Sequence, residues 1–345
     1  MKVLLYFENE SLIKTSGIGR AFEHQKTALA SQGIEYTADP WDEDYDILHI
    51  NTIGFNSDPI ISHARKLGKK VIYHAHSTEE DFRNSFKLSN LVSPLWKQTL
   101  ISLYSKSDAI ITPTPYSRDL IRGYGINLPI YPVSNGIDLS LYKRDEEKII
   151  AFRRYFRLGT DEKVVLGVGL PFERKGILDF VEVARQLPEF TFIWFGELNP
   201  LAVPAKINEV VQNHPMNCRF PGYVKGPIIQ GAYSDADVFF FPSFEETEGI
   251  VVLEALAAKQ QVVVRDIGAF SPWLEHGVNC YKGTNNEEFI SLISGCVNHT
   301  LPHTGEAGFR TAEKRSIETV GKQLKLIYQA VLNNETVSDE ALQDC

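Results

Sequence analysis

The stretch EETEGIVVLE, residues 245–254, sets two carboxylates, Glu246 and Glu254, eight positions apart around an apolar run. On an unbroken helix that spacing returns both side chains to one face. Gly249 between them can open the helix and let the backbone approach a ligand closely. The plain alternative is an acid-rich helix N-terminus, which the macrodipole favours. A second candidate is GLPFERKG (169–176), where Arg174 and Lys175 stand beside Gly176 at the start of a helical pattern. Two cations and free N–H groups there suit a diphosphate, the alternative being a solvated charged turn. A third is SGIGRA (16–21), whose Gly17 and Gly19 open a helix after the first strand and present N–H groups to an anion. It falls short of the full dinucleotide fingerprint and reads equally as a tight strand-to-helix turn.

HAH (74–76) ends another strand. We expect its two histidines on opposite sides of that strand, and with no third ligand nearby no metal site is expected. One histidine at a strand's carboxyl end, His76 or else His74, is a polar or general-base candidate. DED (42–44) and DAD (235–237) read as caps and solvated turns.

The elements that must position these residues alternate strand and helix. VLLYF (3–7), DILHI (46–50), KVIYHAH (70–76) and AIITP (109–113) are strands in the first half. The pattern breaks at VSNGIDLSLYKRDEEK (133–148) and resumes with KVVLGVGL, TFIWFGE, DVFFFP and QVVVRD, between which LDFVEVARQL and GIVVLEALAA are helical. Apolar strands alternating with helices indicate parallel sheets covered on both faces. Two consecutive α/β domains are therefore expected, with ligands beyond the carboxyl ends of the strands in an inter-domain cleft. Residues 316–332 form an amphipathic helix, and the polar tail 333–345 is expected to be disordered.

Composition narrows the partners. The 345 residues are 43% hydrophobic and 23% charged, as in an ordinary globular protein. Cys218, Cys280, Cys296 and Cys345 show no metal-ligand spacing and suit a reducing cytoplasm. The N-terminal apolar run is too short for a signal peptide, and no stretch has the length of a spanning helix. A net charge of −9 argues against nucleic acid as a partner. Between Ile60 and Arg122, however, ten basic residues face five acids, a basic window in an acidic chain.

Together these pieces resemble glycosyltransferase family 4, on DADVFFFPSFEETEGIVVLEALAAKQQVVVRDIGAFSPWLEHGVNCY above all, where order and spacing agree with the family's motif. The resemblance covers nearly the whole chain and implies a GT-B fold: two facing Rossmann-like domains with parallel sheets and an inter-domain cleft. By position it implies an N-terminal domain over 1–148 that binds the acceptor and faces a membrane. A sugar-nucleotide domain over 149–315 follows, and then the helix 316–332, crossing back. It further implies that Glu246 contacts the donor sugar and Glu254 the ribose hydroxyls. Gly249 and Ile250 would meet the phosphates through their N–H groups, joined by Arg174, Lys175, Gly17 and Gly19, and His76 would stand near donor and acceptor. SNGID (134–138) matches the family's boundary motif. Two departures are plain: Leu170 stands where many relatives carry arginine, and AAKQQVVV carries Lys259 and Gln261 in place of glycine and proline. Family members retain anomeric configuration and need no metal and no cofactor beyond the sugar nucleotide.

Residues 81–108 mix Phe86, Leu91 and Trp96 with Lys87 and Lys97. Basic and aromatic residues beside an apolar face suit an anionic membrane surface, the alternative being a core helix with a basic outer side. Pro94 is expected to divide the segment into two helices. The chain is similar overall to bacterial glycolipid synthases such as α-galactosyl-glucosyl-diacylglycerol synthases. That implies transfer of galactose or glucose from UDP-galactose or UDP-glucose to diacylglycerol or a glycolipid, peripherally on the cytoplasmic face of the membrane. Alternative readings are a transferase acting on a polyprenyl-linked or soluble capsule glycan, and a sugar-nucleotide-binding protein without turnover.

Overall fold

A computed structural model describes residues 1–8, 16–197 and 199–345. In chain order its strands are β1 (Lys2–Tyr6), β2 (Glu35–Thr37), β3 (Ile47–Ile50), β4 (Lys70–His74), β5 (Ala109–Thr112) and β6 (Ile130–Pro132), then β7 (Val164–Val168), β8 (Thr191–Phe195), β9 (Cys218–Gly222), β10 (Val238–Phe241), β11 (Gln261–Arg265) and β12 (Tyr281–Gly283). The helices between the first six are α1 (Gly17–Ser31), α2 (Ser57–Lys66), α3 (Glu79–Phe82), α4 (Ser89–Tyr104) and α5 (Pro115–Gly123). Those that follow are α6 (Glu146–Phe156), α7 (Ile177–Gln186), α8 (Ala205–Gln212), α9 (Pro227–Asp235), α10 (Ile250–Ala257), α11 (Asn286–Val297), α12 (Gly305–Glu313), α13 (Ile317–Asn333) and α14 (Asp339–Gln343).

The chain divides into two compact units. The first comprises Met1–Glu80, Leu91–Ile137 and Arg315–Cys345; the second comprises Asp81–Asn90 and Asp138–Lys314. Each holds one six-stranded sheet with every strand parallel to its neighbours, ordered β2-β1-β3-β4-β5-β6 in the first and β12-β11-β10-β7-β8-β9 in the second. The central strands of the second unit, VVLGV, TFIWF, VFFF and QVVVR, are buried along their whole length, as a sheet covered by helices requires. Each sheet reverses its winding once, between β1 and β3 in the first unit and between β7 and β10 in the second. At such a reversal the loops leaving the strands diverge to opposite faces and open a crevice for a ligand.

In the first unit α13 lies on α1 so closely that a Cβ at Gly321 would come 2.5 Å from the carbonyl oxygen of Ala28. The tail expected to be disordered folds instead: Ser338 caps α14, and Leu342 is buried in the core shared by β1, α1 and α13. Leu342 and the half-buried Val337 supply the apolar part of that anchor, and Arg118 adds an ion pair to Asp339 at 2.6 Å; the polar composition around them obscures it. Nor does Pro94 divide the segment after β4. It lies inside α4, and the break falls earlier, where Asn84 and Leu88 adopt left-handed backbone at φ +54° and +64°. Leu342→Ala should lower stability by about 2–3 kcal/mol in urea unfolding. An unchanged midpoint would mean that the tail does not dock.

Candidate active site

At the switch point of the second sheet, the loop after β7 carries Arg174 and Lys175, and the loop after β10 carries Ser243 and Glu246. The two loops touch because Gly176 has φ +74°, and any Cβ there would fall 2.2 Å from the carbonyl oxygen of Pro242. That approach brings the Lys175 ammonium onto Glu246 Oε1 in a short ion pair. Ser243 donates its hydroxyl to the same oxygen at 2.7 Å, and the Arg174 guanidinium stands 3.9 Å away. Glu246 is only 5% exposed. Burial alone would raise its proton affinity, but Lys175 and Arg174 outweigh it, so the carboxyl sits below its usual range and stays ionised. The ring of Phe241 lies 5.3 Å from the Lys175 ammonium and shields it from water.

Arg174 is itself held on several sides. Its Nε donates to Ser85 Oγ at 2.6 Å, and its Nη1 reaches Asp81 at 2.9 Å and the Glu245 carbonyl at 3.2 Å. Sequence reasoning missed Asp81 and Ser85, which lie about ninety residues away in the chain. It also missed Arg265. Buried at the end of β11, Arg265 donates to the carbonyls of Pro242 and Thr284 and pairs with Asp179 at 2.6 Å. It braces the loop carrying Glu246 from behind, and its one legible sign was an arginine ending an otherwise apolar strand.

The glutamates do not share a helix face. Glu246 lies in the loop, and α10 begins only after Gly249, whose φ of +89° turns the chain into the helix. Ile250 is the first helical residue, and no side chain caps that terminus. Its leading N–H groups are thus of the kind that bind phosphate. Glu254, fully buried on α10, accepts a 2.5 Å hydrogen bond from the Tyr233 hydroxyl.

In the first unit Gly17 and Gly19 open α1, with Ser16 Oγ accepting from the Gly19 amide at 3.3 Å. A side chain at Gly17 would meet nothing within 4 Å, so packing does not require glycine there. The histidines of HAH do not point to opposite sides. Residues two apart share a strand face, and the rings of His74 and His76 stack with centroids 4.0 Å apart. His49 extends the stack, with the Tyr328 hydroxyl 2.6 Å from its Nδ1. His76 is bound by Asn51 at 3.1 Å and by Asn135 of the SNGID stretch. Both His74 and His76 are buried, and neither ring nitrogen of His74 has a hydrogen-bond partner among the described residues. Burial pulls His49 and His76 down to about 3, so both rings are neutral.

Of the residues expected at a membrane, Phe86, Lys87 and Leu91 are exposed, with Leu91 76% exposed and Leu95 on the next turn of α4 70%. Trp96 and Lys97 are not free in the same way. Trp96 packs against the core of the first unit, and Lys97 pairs with buried Glu79 at 3.3 Å and lies 4.5 Å from the Tyr124 ring. The helical period turns them inward while Leu91 and Leu95 face out. Among the described residues no group of three or more His, Cys, Asp or Glu is placed to hold a metal ion. No helix among them is long and apolar enough to cross a membrane.

Comparison with known proteins shows the family and the fold. Residues 162–299 match the family described as glycosyl transferases group 1, and residues 36–141 match Glycosyltransferase Family 4. The chain is 48% identical over 338 residues to the processive diacylglycerol alpha-glucosyltransferase of Acholeplasma laidlawii, covering 96% of this chain and 99% of that one. It is 25% identical over 248 residues to the alpha-galactosylglucosyldiacylglycerol synthase of Streptococcus pneumoniae, covering 70% and 65%. Among solved structures, Anabaena HepE in complex with UDP and glucose superposes with a TM-score of 0.77 at 18% identity, over 95% of this chain and 99% of that one. The sucrose-phosphate synthase of Thermosynechococcus elongatus gives 0.79 at 16% identity, over 97% and 100%. The fold they share with this chain is GT-B.

The buried histidines make stability acid-sensitive. Their folded-state values lie below the ordinary 6.5, so as pH falls the unfolded chain takes up protons first. Their contribution is complete above about pH 6.5 and is lost progressively from there toward about pH 3, at no more than about 1.4 kcal/mol per pH unit for each ring. Urea midpoints should therefore fall between pH 7 and pH 5, and fall less in His49→Gln. A midpoint independent of pH over that range would contradict the assignment.

Proposed function

The chain belongs to glycosyltransferase family 4, and on that premise we propose that it moves a hexose from a UDP-sugar onto a diacylglycerol lipid with retention of configuration. The acceptor and the sugar rest on the near-full-length 48% identity to a diacylglycerol glucosyltransferase, which favours UDP-glucose as donor and diacylglycerol or its glucoside as acceptor. UDP-galactose is the second donor reading, supported by the weaker likeness to a galactosylglucosyldiacylglycerol synthase.

In this reading the diphosphate of the donor lies against Arg174, Lys175 and the first amides of α10. As the bond from the anomeric carbon to the phosphate oxygen breaks, its electron pair leaves with UDP, and the two cations and helix dipole receive that charge. The acceptor hydroxyl bonds to the anomeric carbon on the face that UDP leaves, and its proton passes to the departing phosphate oxygen. Glu246, ionised and fixed by Lys175 and Ser243, stabilises positive charge at the anomeric carbon. Glu254 holds the ribose by exchanging its Tyr233 hydrogen bond for hydroxyls of the nucleoside. Gly17 and Gly19 leave room for phosphate at the start of α1. Neutral His76 hydrogen-bonds substrate hydroxyls and contributes no charge. Since protein cations meet the diphosphate, no metal and no further cofactor is needed. Residues up to the first boundary form the acceptor-binding part. There Leu91 and Leu95 on α4 engage an anionic membrane surface peripherally from the cytoplasmic side.

The test is transfer of labelled sugar from UDP-glucose or UDP-galactose onto mixed micelles of diacylglycerol or glucosyl-diacylglycerol, with and without anionic lipid. Lipid product from UDP-glucose, increased by anionic lipid, is expected. Product confined to soluble or polyprenyl-linked glycans would overturn the acceptor. Glu246→Gln should lower turnover by about a hundredfold or more. Leu91→Glu with Leu95→Glu should abolish sedimentation with anionic vesicles and leave UDP binding intact; unchanged sedimentation would remove α4 from the membrane.

A further inference from the structure

Residues 83–88, between α3 and α4, form a strap without regular structure, bracketed by Asn84 and Leu88 in left-handed backbone. Non-glycine residues keep such backbone only where surrounding contacts impose it. Those contacts come from the rest of the second unit, to which the strap belongs: the Asn84 carbonyl accepts from the Arg174 amide at 3.2 Å, the Lys87 amide donates to the Ala202 carbonyl at 2.9 Å, and the Phe86 ring meets that of Phe172 at 4.8 Å. At the head of the strap Asp81 pairs with Arg174 at 2.9 Å, and within it Ser85 binds the same guanidinium.

The charges in this cluster are balanced by protein groups alone: Arg174 and Lys175 face Asp81 and Glu246. All four side chains are largely buried, with Arg174 12% and Asp81 19% exposed. A diphosphate arriving here would bring at least two further negative charges into a poorly solvated place, which is costly unless a resident carboxylate gives way. Glu246 is fixed by Lys175 and Ser243, whereas Asp81 stands in the one-turn helix α3 that leads directly into the irregular strap.

We propose that Asp81 is a resident counter-ion of Arg174, which the phosphates of a nucleoside diphosphate displace, loosening the strap over residues 83–88. This rests on the reading that Arg174 meets the donor's diphosphate. Burial raises the proton affinity of Asp81 while Arg174 and Lys175 lower it, so loss of its cation favours its leaving the cluster or taking up a proton. Asp81 thereby sets nucleotide affinity through competition, opposite in sign to a residue that merely orients Arg174.

Calorimetry with UDP, inorganic pyrophosphate and uridine tests the competition. Asp81→Asn should bind UDP and pyrophosphate about tenfold more tightly, a gain of about 1.4 kcal/mol, and uridine as the wild type does. Asp81→Glu, which keeps the charge, and Ser85→Ala, which removes only a neutral contact, should not tighten either ligand. In the wild-type protein, UDP should speed amide hydrogen exchange over residues 83–88. Phosphate affinity that is unchanged or weakened in Asp81→Asn, or exchange in the strap that UDP leaves unaltered, overturns the proposal. Should Arg174→Met bind UDP as tightly as the wild type, the donor-site reading falls and the proposal with it. Weakened UDP binding in Arg174→Met without tightening in Asp81→Asn sinks the proposal alone.

Discussion

A lysine and a glutamate share a buried ion pair where the second sheet reverses its winding, and much of the surrounding structure exists to make that burial tolerable. Taking Lys175 and Glu246 out of water is expensive, and attraction between them offsets the cost only when the remaining polar atoms are satisfied. Ser243 supplies a hydrogen bond to the carboxylate, and Arg174 a second positive charge. Gly176 permits the approach of backbones without which the pair could not form, and Arg265 fixes the Pro242 carbonyl on the far side. The parallel sheet contributes the rest: loops leaving β7 and β10 diverge only at this one place in the second unit.

On the proposed reading, the same physics suits a neutral, water-poor cluster to the departure of a diphosphate. Cations already oriented by protein carboxylates need little reorganisation when negative charge develops nearby. An ionised Glu246, with its geometry fixed, can answer the opposite charge at the sugar carbon. The chemistry so proposed is electrostatic throughout, which fits a family whose members share a fold and differ in acceptor.

Much of this was legible in the sequence. Eight apolar runs marked strands that fold as such, and the order of strand and helix indicated two parallel sheets. Glu246, Arg174 and Lys175 were recognisable by type and setting, and the structure brings them together. Short edge strands such as β2 and β12 escaped notice because three residues carry no period. Asp81 and Ser85 were invisible because nothing local ties them to Arg174. The histidine stack was misjudged by a parity error that strand geometry corrects. Trp96 and Lys97 looked like membrane contacts by composition, and only the phase of α4 reveals that they turn inward while Leu91 and Leu95 face out. The folded tail rests on Leu342 and Val337 with a few polar contacts, too weak a signal amid polar neighbours.

In the proposed reaction Lys175 and Glu246 act as one unit in sugar transfer, and a double-mutant cycle tests that coupling. kcat/KM for the sugar nucleotide would be measured for the wild type, Lys175→Met, Glu246→Gln and the double variant. A large loss is expected for each single change, and a double variant no worse than about tenfold below the poorer single one, because either change already breaks the pair. Losses that multiply in the double variant would show two independent residues and contradict it.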